Sequence, residues 1–308
     1  MDKQMSMTIS AKIGGIIAAE QPKIEYTEAD VLRELASYSD EELAEMREIG
    51  LVDGDSLSDF EKFYVIREFC AELGLSSVDD DGRYTLELFK NARMLDAEEM
   101  ENDPFIKNIK IKDTSEGKIL LTTSAYERGE IFQYDMPELS ARLVVPKLGF
   151  FKRRVAFPAL YEGMIPWVSV CPSEINSMRT QMERAHGKVL VLGLGLGYYP
   201  YIISQKDCVE SITIVELQPT VIDVFKDRLL PQFDRADKIR IICADAIEYM
   251  KSVKNGEYDF CFADIWEGAV DGADLYRKIR AHEQRLDATE FTYWIEEQIR
   301  AYLEEDEE

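Results

Sequence analysis

The sequence predicts an α/β fold, with a parallel sheet in the second half of the chain preceded by a helical module and a small β region. Three observations predict it. Val189–Leu192 are apolar and run straight into glycines alternating at Gly193, Gly195 and Gly197, followed by the apolar segment Tyr198–Ile203. That order reads as a buried strand, a tight turn and a helix. Strand-like and helix-like segments then alternate through residue 264, as a parallel sheet requires. Finally, acidic residues stand where those strands end.

Residues 1–103 are expected to form the helical module. Met1–Ala19 carries an apolar patch at Ile13–Ala19 but has no basic start or cleavage site, so it reads as mature protein. Ser39 with Glu42, and Ser58 with Glu61, fit the capping-box pattern, while Gly50 and Gly74 stand where helices end. Phe60, Phe63, Tyr64, Ile66, Phe69 and Cys70 make one apolar face. No catalytic constellation falls in this part, and an interaction or lid role is the expectation.

Residues 104–170 change period. Ile106, Ile109 and Ile111, then 119–123, 131–134, 142–145 and 154–157, read as short strands with turns at Ser115-Glu116-Gly117 and Arg128-Gly129. Helical spacing resumes at Pro172, with Ile175, Met178 and Met182 on one stripe.

The third block, 171–308, holds the predicted sheet. Strands are expected at 189–193, 211–216, 239–243 and 258–264, with helices at 199–205, 219–229 and 246–253 between them. Glycines in the first turn let a ligand lie against bare backbone. Glu216, at the tip of the second strand, stands about 20 residues beyond them, where a carboxylate grips a ribose diol. A solvated acid capping the next helix fits the same position. A dinucleotide turn wants a small residue at position 198, and Tyr198 is too large.

The G-x-G-x-G pattern instead resembles motif I of the class I S-adenosylmethionine-dependent methyltransferases. V-L-V-L-G-L-G-L-G is similar to the corresponding segment of spermidine synthases, which share that Rossmann-like fold. The resemblance implies an S-adenosylmethionine site lined by Gly193, Leu194, Gly195, Gly197, Tyr198, Glu216, Asp245, Ala246 and Asp264. Asp245-Ala246, in D-A-I-E-Y-M, occupies the position that contacts the adenine in that family; as a residue, Asp245 equally fits a helix N-cap.

Asp264-Ile265-Trp266-Glu267 closes the fourth strand. It lacks the prolines of D/N-P-P-Y nitrogen methyltransferases and resembles the D-x-x-D of spermidine synthases, whose acids bind and deprotonate the attacking amine. Here the second acid is Glu267, longer by one methylene, and Leu196 stands where those enzymes carry an aspartate in the glycine turn. Asp264 and Glu267 are the catalytic candidates. Trp266 and Tyr198 suit either an aromatic wall for a cationic or planar substrate or core packing. His282 shares a helical face with Leu275, Ile279 and Leu286 and reads as packed.

After Asp264, 44 residues remain, whereas the fold's remaining elements need about 55 to 60 at typical element and loop lengths. They read as helices, Leu275–Leu286 and a last one capped by Asp287 with Glu290. A sheet truncated at its C-terminal end, or completed by strands from 140–170, is expected.

Composition bounds the function. Net charge is −24, and the run Glu304–Glu308 is wholly acidic, so general nucleic-acid binding is disfavoured and attraction of a cationic substrate is allowed. Lys147, Lys152, Arg153 and Arg154 around Phe150 and Phe151 are the local exception. Five cysteines without C-x-x-C spacing point to reduced thiols in the cytoplasm. Two histidines, His186 and His282, leave little for histidine-centred metal or triad chemistry. No run of 18 apolar residues occurs. The function expected is S-adenosylmethionine-dependent methyl transfer to an unidentified acceptor. The alternatives are spermidine synthase-like aminopropyl transfer and a non-catalytic adenosyl-binding scaffold.

Overall fold

The computed structural model describes residues 1–75 and 82–306. Glu307 and Glu308 of the closing acidic run lie outside the described residues. Two compact units are present, Met1–Met100 with Ala125–Val155, and Glu101–Ser124 with Ala156–Glu308. Strands lie at β1 (Arg93–Leu95), β2 (Thr114–Glu116), β3 (Ile119–Tyr126), β4 (Phe132–Asp135), β5 (Lys147–Phe151), β6 (Val155–Glu162), β7 (Ile165–Ser169), β8 (Gly187–Leu192), β9 (Val209–Glu216), β10 (Ile239–Cys243), β11 (Phe260–Ala263) and β12 (Glu290–Tyr293). The β segment over 104–170 is thus divided, supplying strands to a sheet in each unit.

In the first unit, helices α1 (Lys3–Glu20), α2 (Glu28–Leu35), α3 (Asp40–Ile49), α4 (Leu57–Glu72) and α5 (Arg83–Asn91) accompany a small sheet of order β1-β5-β4. Helix α4 is central because Phe60, Phe63, Val65, Ile66 and Phe69 are all buried along it. Its capping box is Ser56–Asp59 and not Ser58–Glu61: Ser56 Oγ accepts from Asp59 N at 3.1 Å, and the Asp59 carboxylate accepts from Ser56 N at 3.1 Å. Glu61 is drawn inward instead, accepting from the Tyr26 hydroxyl at 2.8 Å and pairing with Lys152 at 2.6 Å. The box at Ser39–Glu42 forms as expected. Ser56→Ala is expected to cost about 1 kcal/mol of stability, read as a lower urea midpoint with an unchanged slope.

Two expected strands differ. Asp103 caps a short helix over Pro104–Asn108, accepting from Phe105 N at 2.9 Å, so the Ile106–Ile111 alternation yields to an N-cap with proline in the first turn. No strand covers 142–145; the paired strand begins at Lys147. The cations of the basic cluster are engaged, Lys147 with Asp135 at 2.9 Å and Arg154 with Glu127 at 3.0 Å.

The second unit carries the large sheet, order β10-β9-β8-β11-β12, with every pairing parallel. Numbered along the sheet this is 3-2-1-4-5, the doubly wound order, whose direction of growth reverses beside β8. The fifth strand corrects the expectation of a helix capped by Asp287. Glu290–Tyr293 pair with Phe260–Ala263 in parallel register, and the last helix starts only at Glu296. A four-residue strand is too short to display a period, and Phe291 within it and Trp294 just after it imitate a helical stripe. A separate sheet of order β2-β3-β6-β7 precedes the large one in the chain.

Val189, Leu190, Val191 and Leu192 of β8 are at most 2% exposed, paired on both sides as the middle strand of the large sheet. The helix after β9 runs as an α-helix over Pro219–Val224 and then widens to a π turn over Phe225–Leu229. Among the described residues, no helix is long and apolar enough to cross a membrane.

Candidate functional site

At the carboxyl ends of the parallel strands, Gly193, Gly195 and Gly197 have φ of 98°, 52° and 76°. Gly193 combines this backbone with a close approach, since a Cβ there would overlap the Asp264 carbonyl oxygen. The turn is stapled to both neighbours: Gly193 N donates to Val215 O at 2.9 Å, and Asp264 N donates to Leu192 O at 2.8 Å. A Cβ at Gly197 would meet the Phe225 ring, which the π turn carries. Positive φ at all three positions, with protein atoms close to each absent Cβ, makes glycine the residue this turn requires.

Glu216 is 7% exposed and anchored at both oxygens. Oε2 accepts from Leu194 N at 3.1 Å and Oε1 from Gln218 N at 2.8 Å. Each carboxylate oxygen has two acceptor sites, so the anchoring orients the group and leaves capacity for a diol. Beside it Leu217 is 62% exposed, an apolar side chain open at the strand tip.

Asp245 is exposed, and Oδ1 caps the next helix by accepting from Glu248 N at 2.9 Å. The cap uses one oxygen of the carboxylate. Ala246 opens that helix and is buried. Leu194 is buried and bound to Glu216 through its N–H; Leu196 is 1% exposed and sits in the hydrophobic core. Gly193 is thus close to the Asp264 backbone and Leu194 is bound to Glu216, with Asp245 on the neighbouring strand end.

The aromatic candidates are buried. Tyr198 is 6% exposed, its hydroxyl donating to Asp103 at 3.0 Å and its ring edge-on to Phe105. Trp266 is 7% exposed and stacked near Tyr293, and a Cβ at Gly272 would press on its indole. Both pack as core. Glu267 is exposed, its backbone N donating to Asp271 Oδ2 at 2.8 Å. His282 is partly exposed, with Nδ1 at 3.1 Å from Arg285.

Asp264 is a different kind of acid. Burial first, and the charge of Glu174 second, raise its carboxyl well above the usual carboxylate range. Glu174 lies in the first turn of the helix Pro172–Arg184, and burial pushes it up to about 7 from 4.5. The sequence offered no signal for Glu174, because an acid in a first helical turn is ordinary dipole compensation.

A carboxyl raised in the folded state stabilises the fold while protonated. Its contribution is complete below pH 4.5 and is lost as pH rises to about 7, a change of about 3 kcal/mol. Glu174→Gln is expected to flatten this slope, checked by urea midpoints at intervals across that window.

Residues 172–283 match the spermine/spermidine synthase domain model, a span holding the glycine turn, Glu216, Asp245, Asp264 and Glu174. The curated proteins give no match. Among solved structures, spermidine synthase from Thermotoga maritima is 19% identical, with 46% of this chain and 53% of that chain covered and a TM-score of 0.33. A spermidine synthase in complex with the transition state analogue AdoDATO is 19% identical, covering 46% and 52%, at a TM-score of 0.32. A protein described as an O-methyltransferase from Klebsiella pneumoniae is 15% identical, covering 33% and 46%, at 0.26. The chain spans about half the length of these solved structures. In sequence, then, residues 172–283 are similar to the spermine/spermidine synthase domain, and they contribute four of the five strands of the large Rossmann-like parallel sheet.

Proposed function

We propose that the second unit transfers an aminopropyl group from decarboxylated S-adenosylmethionine to an amine. The observation that carries this reading is the spermine/spermidine synthase match, which spans the glycine turn, Glu216 and the half-buried Asp264. The chemistry asks for little beyond alignment. A sulfonium donor is already reactive, so the protein must hold an amine in line with the carbon and accept its proton. Glu216 and the turn would hold the adenosine, and Asp264 would take the proton. A net charge of −24 favours the approach of a polycation.

A second reading, methyl transfer from S-adenosylmethionine, is favoured by Leu196. It fills with core hydrocarbon the turn position at which spermidine synthases carry an aspartate. The two separate cleanly in one assay. Purified protein is incubated with putrescine and either donor, and both the nucleoside thioether and the modified amine are measured. Turnover with decarboxylated S-adenosylmethionine alone is expected; turnover with S-adenosylmethionine alone would replace aminopropyl by methyl transfer, and calorimetric binding of NAD alone would remove both.

A further inference from the structure

We propose that Glu174, and not Glu267, is the second acid of this site: Glu174 and Asp264 together hold the ammonium of the acceptor amine and receive its proton. This rests on the amine-acceptor reading above and names the residue that completes it.

The geometry comes from the helix Pro172–Arg184. Glu174, Ser177 and Gln181 are spaced at i, i+3 and i+7 and lie on one face. That face is fixed by two bonds. Ser177 Oγ accepts from Trp294 Nε1 at 2.9 Å, and Gln181 Nε2 donates to Tyr293 O at 3.3 Å. Trp294 N in turn donates to Ala263 O at 3.0 Å, the residue before Asp264. Glu174 therefore stands one turn before Ser177 on the helix face that meets the ends of β11 and β12, and its charge raises Asp264.

Glu267 has the spacing of a D-x-x-D partner and lacks the placement. It is exposed at the start of the loop into helix Ala269–Arg280, where its backbone N donates to Asp271.

The other charged groups along this seam are engaged or distant. Arg184 pairs with Glu290 at 2.8 Å, at the opposite end of the strands, since Glu290 lies beside Phe260 and Tyr293 beside Ala263. Arg179 donates to Asn176 at 2.8 Å, and Asp271 accepts from Glu267 N. Cys261, on the strand leading to Asp264, is held neutral by burial. Among the described residues neither Glu174 nor Asp264 has a cationic partner in an ion pair. Two unpaired carboxyls in a water-poor setting share protons instead of both ionising, and a cation arriving between them supplies the missing charge.

The step balances. The amine lone pair forms a bond to the sulfonium-bound carbon, the carbon–sulfur bond breaks with its electron pair passing to sulfur, and a neutral thioether leaves. The surplus proton on nitrogen passes to the carboxylate pair.

The test has two arms. In the first, carboxyl-carbon NMR follows Glu174 and Asp264 of the ligand-free protein between pH 4 and 9. A coupled two-step titration is expected, with Glu174→Gln lowering Asp264 and Glu267→Gln moving neither group. Independent titration of Glu174 overturns the proposal whatever the reaction is. In the second, putrescine is titrated into protein saturated with methylthioadenosine, in buffers of different ionisation enthalpy. Proton release on binding is expected in the wild type. It should be lost in Glu174→Gln with putrescine at least 10-fold weaker, methylthioadenosine affinity unchanged, and Glu267→Gln like wild type. Loss of putrescine binding in Glu267→Gln but not Glu174→Gln overturns the assignment. A coupled titration without putrescine binding retains the acid pair and overturns its role in holding an ammonium, together with the amine-acceptor reading.

Discussion

Gly193→Ala is expected to abolish adenosyl-ligand binding and to lower the unfolding free energy by about 2–6 kcal/mol. Two terms make that sum. A non-glycine residue held at φ near 98° stores about 1–3 kcal/mol of backbone strain. The added methyl also overlaps the Asp264 carbonyl oxygen. That oxygen belongs to backbone tied to Leu192, so it moves only if β11 separates from β8. Overpacking of this kind costs about 1–3 kcal/mol more. Gly256→Ala separates the terms: Gly256 has φ 75° and open space around it, so it bears strain alone, and about 1 kcal/mol is expected. Equal losses in the two variants, from urea unfolding, would show that the contact between turn and strand tip carries no energy.

What the sequence displayed depended on whether an element had a local signal. The run into Gly193, Gly195 and Gly197, and the spacing to Glu216 and Asp264, were legible because strand burial and positive φ each demand particular residue types. The fifth strand was not. Glu290–Tyr293 earns its strand geometry from pairing with β11, a contact about 30 residues away that no window along the chain contains. The capping box was expected at Ser58–Glu61 and forms two residues earlier at Ser56–Asp59, because Glu61 is drawn inward to the Tyr26 hydroxyl. Tyr198 and Trp266 were ambiguous, since an aromatic side chain in a turn fits a wall or a core equally; Asp103 and Gly272 settle their packing. Glu174 is the instructive omission. Its part depends on a helix face aligned through Ser177 and Trp294, residues 117 positions apart.

Glu216→Ala is expected to weaken adenosyl-ligand binding by on the order of 100-fold or more, since each bond from a ribose hydroxyl to a carboxylate contributes about 1.5–3 kcal/mol. The same change strips Leu194 N–H and Gln218 N–H of their acceptor, and a buried donor left unpaired costs about 1–3 kcal/mol of stability. A purely structural Glu216 would weaken every ligand of the turn alike. A diol-gripping Glu216 would not, and a second ligand tells them apart. Against methylthioadenosine the variant should lose its full 100-fold; against the 2′,3′-dideoxy analogue, which has no hydroxyls to offer, it should lose only what distortion of the turn costs. The difference between the two losses is the coupling between carboxylate and diol, free of the shared damage. Calorimetry on both ligands closes the cycle, and a coupling near zero would mean that Glu216 shapes the turn without touching the ribose.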